Sequence, residues 1–161
     1  WEPLTGLTLG GNATLIDSEV TLPEEEAMLF DSPAVLAPIS TRDMTNAPEH
    51  LYNLFLVYDV EATGTQVGLF YTVRGDTLIA GATVADGNLI PSVYETEFDT
   101  LNLTVSQKLG DVFRLKFSAK NLTNPRIEEV YRSPFIGDDV LKSTFTKGID
   151  YSVSLTAEFR F

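Results

Sequence analysis

The sequence predicts an all-β fold, an antiparallel up-and-down transmembrane β-barrel segment of about six strands. Three observations carry that expectation. First, Ile149, Tyr151, Val153, Leu155, Ala157, Phe159 and Phe161 alternate without a break with Asp150, Ser152, Ser154, Thr156, Glu158 and Arg160, the two-residue period of a strand with one apolar and one polar face. Second, the stretch is long: thirteen residues at about 3.3 Å each span roughly 43 Å, which a tilt of about 45° projects to about 30 Å, the thickness of a hydrocarbon core. Strands of soluble domains usually run to about five or six residues. Third, the connections between alternating runs are by turns short and long, as in outer-membrane barrels with short periplasmic turns and long external loops. Pattern alone leaves a soluble β-sandwich or solenoid open.

The first run extends from Gly6 to Leu22, with Leu7, Leu9, Gly11, Ala13 and Leu15 on one face. The second, Leu51 to Val60, sets Tyr52, Leu54, Leu56 and Tyr58 against Asn53, Phe55, Val57 and Asp59. The third starts near Gln66, carries Val67, Leu69, Tyr71 and Val73 on its apolar side and continues less regularly to about Ala80. The fourth, about Tyr94 to Lys108, shows Leu101, Leu103 and Val105, and the fifth, Val112 to about Asn121, shows Phe113, Leu115, Phe117 and Ala119. The sixth is the C-terminal stretch. Glu61 to Thr65 is a short turn, and Gly110-Asp111 is of the kind that closes a tight hairpin. About Pro23 to His50, Thr83 to Val93 and Pro125 to Thr146 read as long loops.

Composition bounds the function. A chain of 161 residues with net charge -12 and scattered Lys and Arg is repelled by a polyanion, so nucleic acid is not an expected partner. Without Cys there is neither a disulfide scaffold nor a thiolate metal site. A mean hydropathy near zero does not exclude a membrane barrel, whose strands show lipid only at every second residue. Trp1-Glu2-Pro3 is no charged and apolar leader, so a signal peptide is expected to have been removed or to lie outside the chain.

On this pattern Leu54, Leu56, Leu69, Leu101, Leu103, Leu115, Phe117, Val153 and Leu155 face lipid. Tyr58, Phe113, Phe159 and Phe161 form an interfacial aromatic girdle at the periplasmic end, where the fourth strand departs by ending Gln107-Lys108-Leu109. Arg74, Arg114, Lys116, Asp150, Glu158 and Arg160 face the lumen. Because the start of the fifth strand lies beside the end of the sixth, Arg114 or Lys116 is expected to pair with Glu158.

No catalytic constellation is present, and the chain is not expected to be an enzyme or to carry a cofactor or metal. The one histidine, His50, follows Pro48-Glu49 and reads as a solvent-facing spacer at a loop edge. No G-x-S-x-G elbow or G-x-x-x-x-G-K phosphate loop occurs. Glu24 to Glu26, Glu128-Glu129 and Asp138-Asp139 read as solvated charge, although the last two pairs could hold a divalent cation in an external loop. The N-x-[ST] matches at Asn12, Asn102 and Asn121 fall in or at the end of strands, so a structural role is favoured over glycosylation.

The segment NLTN at Asn121 to Asn124, closing a strand after FDTLNLTVSQKL, together with the Tyr151 to Phe161 terminus, resembles the end of a TonB-dependent outer-membrane receptor. The resemblance extends through RDMTNAPEHLYNLFLVYDV at Arg42 to Val60 and GLTLGGNATLIDSEV at Gly6 to Val20. It implies that residues 1–161 form the last six strands of a barrel of about twenty-two, with plug domain and earlier strands absent. It implies residence in the outer membrane of a Gram-negative bacterium and TonB-dependent uptake of a scarce solute, a siderophore, cobalamin or oligosaccharide. The implied partners are outer-membrane lipid, TonB, the missing strands and plug, and an unidentified small solute. A soluble β-rich carbohydrate- or ligand-binding module and a passive porin-like barrel are the alternatives.

Overall fold

A computed structural model describes residues 4–158. The expectations for Phe159, Arg160 and Phe161 therefore lie outside the described residues. Six long strands, β1 (Leu7–Leu15), β4 (His50–Val60), β5 (Thr65–Arg74), β10 (Phe98–Leu109), β11 (Phe113–Lys120) and β14 (Asp150–Ala157), form one sheet in the order β1-β4-β5-β10-β11-β14. Every neighbouring pair is antiparallel. They are the six expected strands in their expected order. The all-β expectation holds, with one short helix added. β4, β5 and β10 run to 11, 10 and 12 residues, near the roughly nine to eleven of a membrane-spanning strand.

Two tight turns close one end of this sheet. In the first, Thr63 and Gly64 donate backbone hydrogen bonds to Val60 and Glu61. Gly64 and Gly110 have φ of 64° and 65°, the left-handed region that a side chain disfavours.

At the opposite end the three long connections are not structureless. They fold into a cap: a second sheet in the order β13 (Val140–Thr146), β12 (Arg126–Arg132), β9 (Ser92–Glu95), β6 (Thr77–Ala80), the small hairpins β2 (Val20–Thr21) with β3 (Thr41–Arg42) and β7 (Thr83–Ala85) with β8 (Asn88–Ile90), and the helix α1 (Glu24–Phe30). β12 and β13 have seven residues each but their register shifts at Glu129/Val130, and the other cap strands, of two to four residues with a further shift at Leu78/Ala80, show too little period to be read. Glu24, Glu25 and Glu26, expected as loop charge, are the first turn of α1, where acidic groups complement the helix dipole.

The same event divides three expected strands. The first becomes β1 and β2, the third β5 and β6, and the fourth β9 and β10. The break in the third falls at Gly75-Asp76, and Gly75 is buried beneath His50, where a Cβ would lie 2.5 Å from Nδ1. The enclosed core also sits in the cap. Leu22, Phe30 and Ala82 cluster with Ala27, Ile39, Val84 and Leu89, and Leu78, Val93, Ile127 and Val130 are buried.

Candidate functional site

The six-stranded sheet has two chemically different faces, and strand register decides what each carries. Leu56 on β4 lies opposite Leu9 and Leu69, Leu69 opposite Leu103, Val105 opposite Phe117, and Phe117 opposite Val153. Because facing residues share a side, one apolar face runs across all six strands and contains Leu54, Leu56, Leu69, Leu101, Leu103, Leu115, Phe117, Val153 and Leu155. Nothing among the described residues covers it: Leu54, Val153 and Leu155 are 60 %, 68 % and 62 % exposed.

Tyr58 and Phe113 lie on this face at the short-turn end. Tyr52 and Tyr151 occupy it near the cap, each six positions from the lower aromatic row. Tyr52 stacks on His50 with centroids 4.7 Å apart, and Tyr151 stacks on Phe117 at 6.2 Å. This second aromatic row was legible only as two isolated tyrosines.

The other face satisfies its own polar groups. Asn53 Nδ2 donates to Asn12 Oδ1 at 3.0 Å, Thr72 Oγ1 to Asn53 Oδ1 at 2.8 Å, and Gln66 Nε2 to Asp59 Oδ2 at 2.9 Å. Asn12 and Asn102 are structural here, since Asn102 Oδ1 accepts the Asn121 N–H that starts the NLTN turn. Asn121 and Asn124 have φ of 56° and 44°, a region that asparagine tolerates.

Two phenylalanines interrupt this polarity. Phe55 and Phe70 stack with centroids 6.5 Å apart. Gly10, opposite Phe55, and Gly68 leave the space that their rings cover.

Arg114, Lys116 and Asp150 share the polar face, opposite Thr156, Ser154 and Lys120. Arg114 and Glu158 line one cleft at the short-turn end. The expected ion pair is absent, however: neither Arg114 nor Lys116 lies within ion-pair distance of Glu158. Glu158 stands one position beyond the end of β14, its N–H donating to Val112 O, so it is held past the last paired residues of the ladder rather than opposite Arg114 or Lys116. Arg74 is on the same face at the cap end, with its NH1 3.1 Å from Glu95 Oε1.

Where sheet meets cap, side chains form a polar joint. His50 is not a solvent spacer. It begins β4, and its Nε2 lies 2.8 Å from Glu97 Oε2. Glu97 N–H donates to Asp76 Oδ1 at 2.7 Å. Arg132 donates from NH2 to Asp76 at 2.8 Å, from Nε and NH2 to Asp139, and lies 4.6 Å from the centre of the Tyr94 ring. The fork on Asp139 holds the guanidinium proton more tightly than usual, outweighing partial burial, and draws the Asp139 pKa below the ordinary range. Burial, then the hydrogen bond from its hydroxyl to Asp43 at 2.7 Å, raises the Tyr94 phenol.

Glu128, Glu129 and Asp139 of the acidic pairs are likewise engaged. Hydrogen bonds from Lys142 and Ser143 hold Glu129 below its usual pKa. Among the described residues no three His, Cys, Asp or Glu are grouped as metal ligands.

The molecule these features define is a predominantly antiparallel β protein, its two-faced sheet capped at one end by a smaller, self-contained β layer. No family model matches the chain, no characterised protein matches it in sequence, and no solved structure matches it.

Proposed function

We propose that the six-stranded sheet is a wall segment of a TonB-dependent outer-membrane receptor, and that the cap is its external, solute-capturing part. The observation that carries this reading is the single apolar face, continuous by register over six antiparallel strands and left bare, backed by a polar face that is internally hydrogen-bonded. An uncovered leucine face costs free energy in water, about 25 cal/mol for each Å² of apolar surface exposed, whereas hydrocarbon removes that cost. The grouping of all structured connections at one end and tight turns at the other supports the same orientation.

In this reading the polar face, with Arg114, Lys116 and Asp150, lines the lumen and meets the plug. Further strands of the same protein continue the wall beyond β14, because hydrocarbon does not tolerate an open sheet edge. Solute binds at the cap, and force transmitted through TonB displaces the plug to admit it.

The test is fractionation of the full-length protein. Recovery with outer membranes and release only by detergent is the expected result. Recovery in buffer without detergent overturns the reading in favour of a soluble β-rich binding module.

A further inference from the structure

Two clefts lie back to back in the cap with Tyr94 in the wall of both. One is acidic, with Asp17, Asp43, Glu49 and Asp76 in its lining. The other, of about 360 Å³, lies between the β2–β3 hairpin, β9 and the turn after β12, and it has two cations, Arg42 and Arg132, and no acid in its lining. Its apolar side is Ile39, Pro134 and Phe135.

The two arginines are not equivalent. Arg132 is committed to Asp139 and Asp76. Elsewhere in the cap Arg126 pairs with Glu128, Lys142 with Glu129, and Lys147 sits over the Phe98 ring. Arg42 alone among the described cations of the cap has neither a carboxylate nor a ring, and its Nε is buried without a hydrogen-bond partner. Its head group is nevertheless seated, because NH1 rests against Gly81, where any Cβ would collide with it. A buried N–H donor without an acceptor is costly; Nε itself is closed to solvent, so a molecule in the cleft would meet the unmatched guanidinium charge through its terminal N–H groups.

We propose that this cleft binds a small carboxylate-bearing molecule, its carboxylate on Arg42 and its apolar part against Ile39, Pro134 and Phe135. A planar guanidinium presents paired N–H groups that match a carboxylate. One unpaired guanidinium suits a single negative charge, since the charge of Arg132 is already matched by Asp139 and Asp76. The volume lies in the range of small-molecule sites, about 300 to 1,000 Å³. The inference rests on the proposed function in taking the cap as the solute-facing part, and it names the class of solute.

The experiment is a titration of the full-length protein in detergent with benzoate, with benzamide as the uncharged control, followed by saturation-transfer NMR. Saturable benzoate binding at least tenfold tighter than benzamide is expected, with at least a tenfold loss in Arg42→Gln and no change in Arg126→Gln. Gly81→Ala keeps the charge but displaces the guanidinium, and should weaken benzoate several-fold. Absent benzoate binding, equal binding of benzamide, or full binding by Arg42→Gln overturns the proposal. Each variant's membrane fractionation is read separately, so a protein that stays in the outer membrane without Arg42-dependent binding loses this proposal and keeps the barrel reading.

Discussion

Ile127, Leu78 and Phe30 in the cap are at most 1 % exposed, whereas Leu54, Val153 and Leu155 in the six-stranded sheet are at least 60 % exposed, although both regions are built from antiparallel ladders. The cap folds its short strands over one another and α1, so its apolar side chains find partners within the chain. The sheet is one layer thick and has no second layer to bury its leucines. The cap is therefore stabilised by its own packing, whereas the apolar face of the sheet has no partner among the described residues, which makes their responses to substitution and solvent separable.

The largest effect should come from the cap's core. Ile127→Ala removes a side chain that is 0 % exposed and is expected to cost about 2–5 kcal/mol. Hydrogen exchange should locate the loss in β12, β13 and β9 while the β4–β5 amides stay protected. Loss of protection in both regions would show that they unfold as one unit and break the comparison.

Next in size is a pair of neighbours on opposite faces of β14. Val153→Arg is expected to cost on the order of 2–4 kcal/mol in lipid vesicles if that face meets hydrocarbon, and Ser154→Arg much less. Denaturant unfolding in vesicles measures both, and equal costs would remove the distinction between the faces.

A smaller effect belongs to the aromatic cover on the polar face. Gly10→Val drives a side chain into the Phe55 ring, at an expected cost of about 1–3 kcal/mol. Adding Phe55→Ala should recover part of it. A double-mutant cycle with no coupling would mean that the ring simply swings away.

The smallest is an acid effect confined to the cap. Glu129 and Asp139 have depressed pKa values through Lys142 and Arg132. The stability they contribute is present above the unfolded carboxylate pKa values, about 4, and is lost as pH falls through the lower folded values. Glu129 and Asp139 are 21 % and 37 % exposed, so solvent screening should keep the loss slight. Faster exchange in β12–β13 below about pH 4, with the sheet unaffected, is the expected result. An equal response in the sheet would contradict the assignment.

The long strands were legible because a two-residue period sustained over eight to twelve positions is a strong signal, and the strand register keeps the same alternation across the sheet. Gly64 and Gly110 marked the turns for a similar reason. The cap was not legible. Apart from β12 and β13, whose register is broken by a bulge, its strands have two to four residues and carry no period, and its core residues Leu22, Leu78 and Ile127 come from segments far apart in sequence. His50 looked like loop punctuation because its partners, Gly75 and Glu97, are distant along the chain. The acidic pairs looked free because Lys142 and Arg132 reach them only across the β12–β13 hairpin.

Local alternation thus determined the six strands, their order, the sorting of side chains onto two faces and the end at which the tight turns fall, because each follows from neighbours along the chain. Only the tertiary structure decided that the long connections form a cap with its own core, that Glu158 makes no ion pair with the basic row on β11, and that Arg42 is the uncommitted cation of a small cleft. Those outcomes depend on which distant segments meet, and a pattern with a two-residue period contains no record of such meetings.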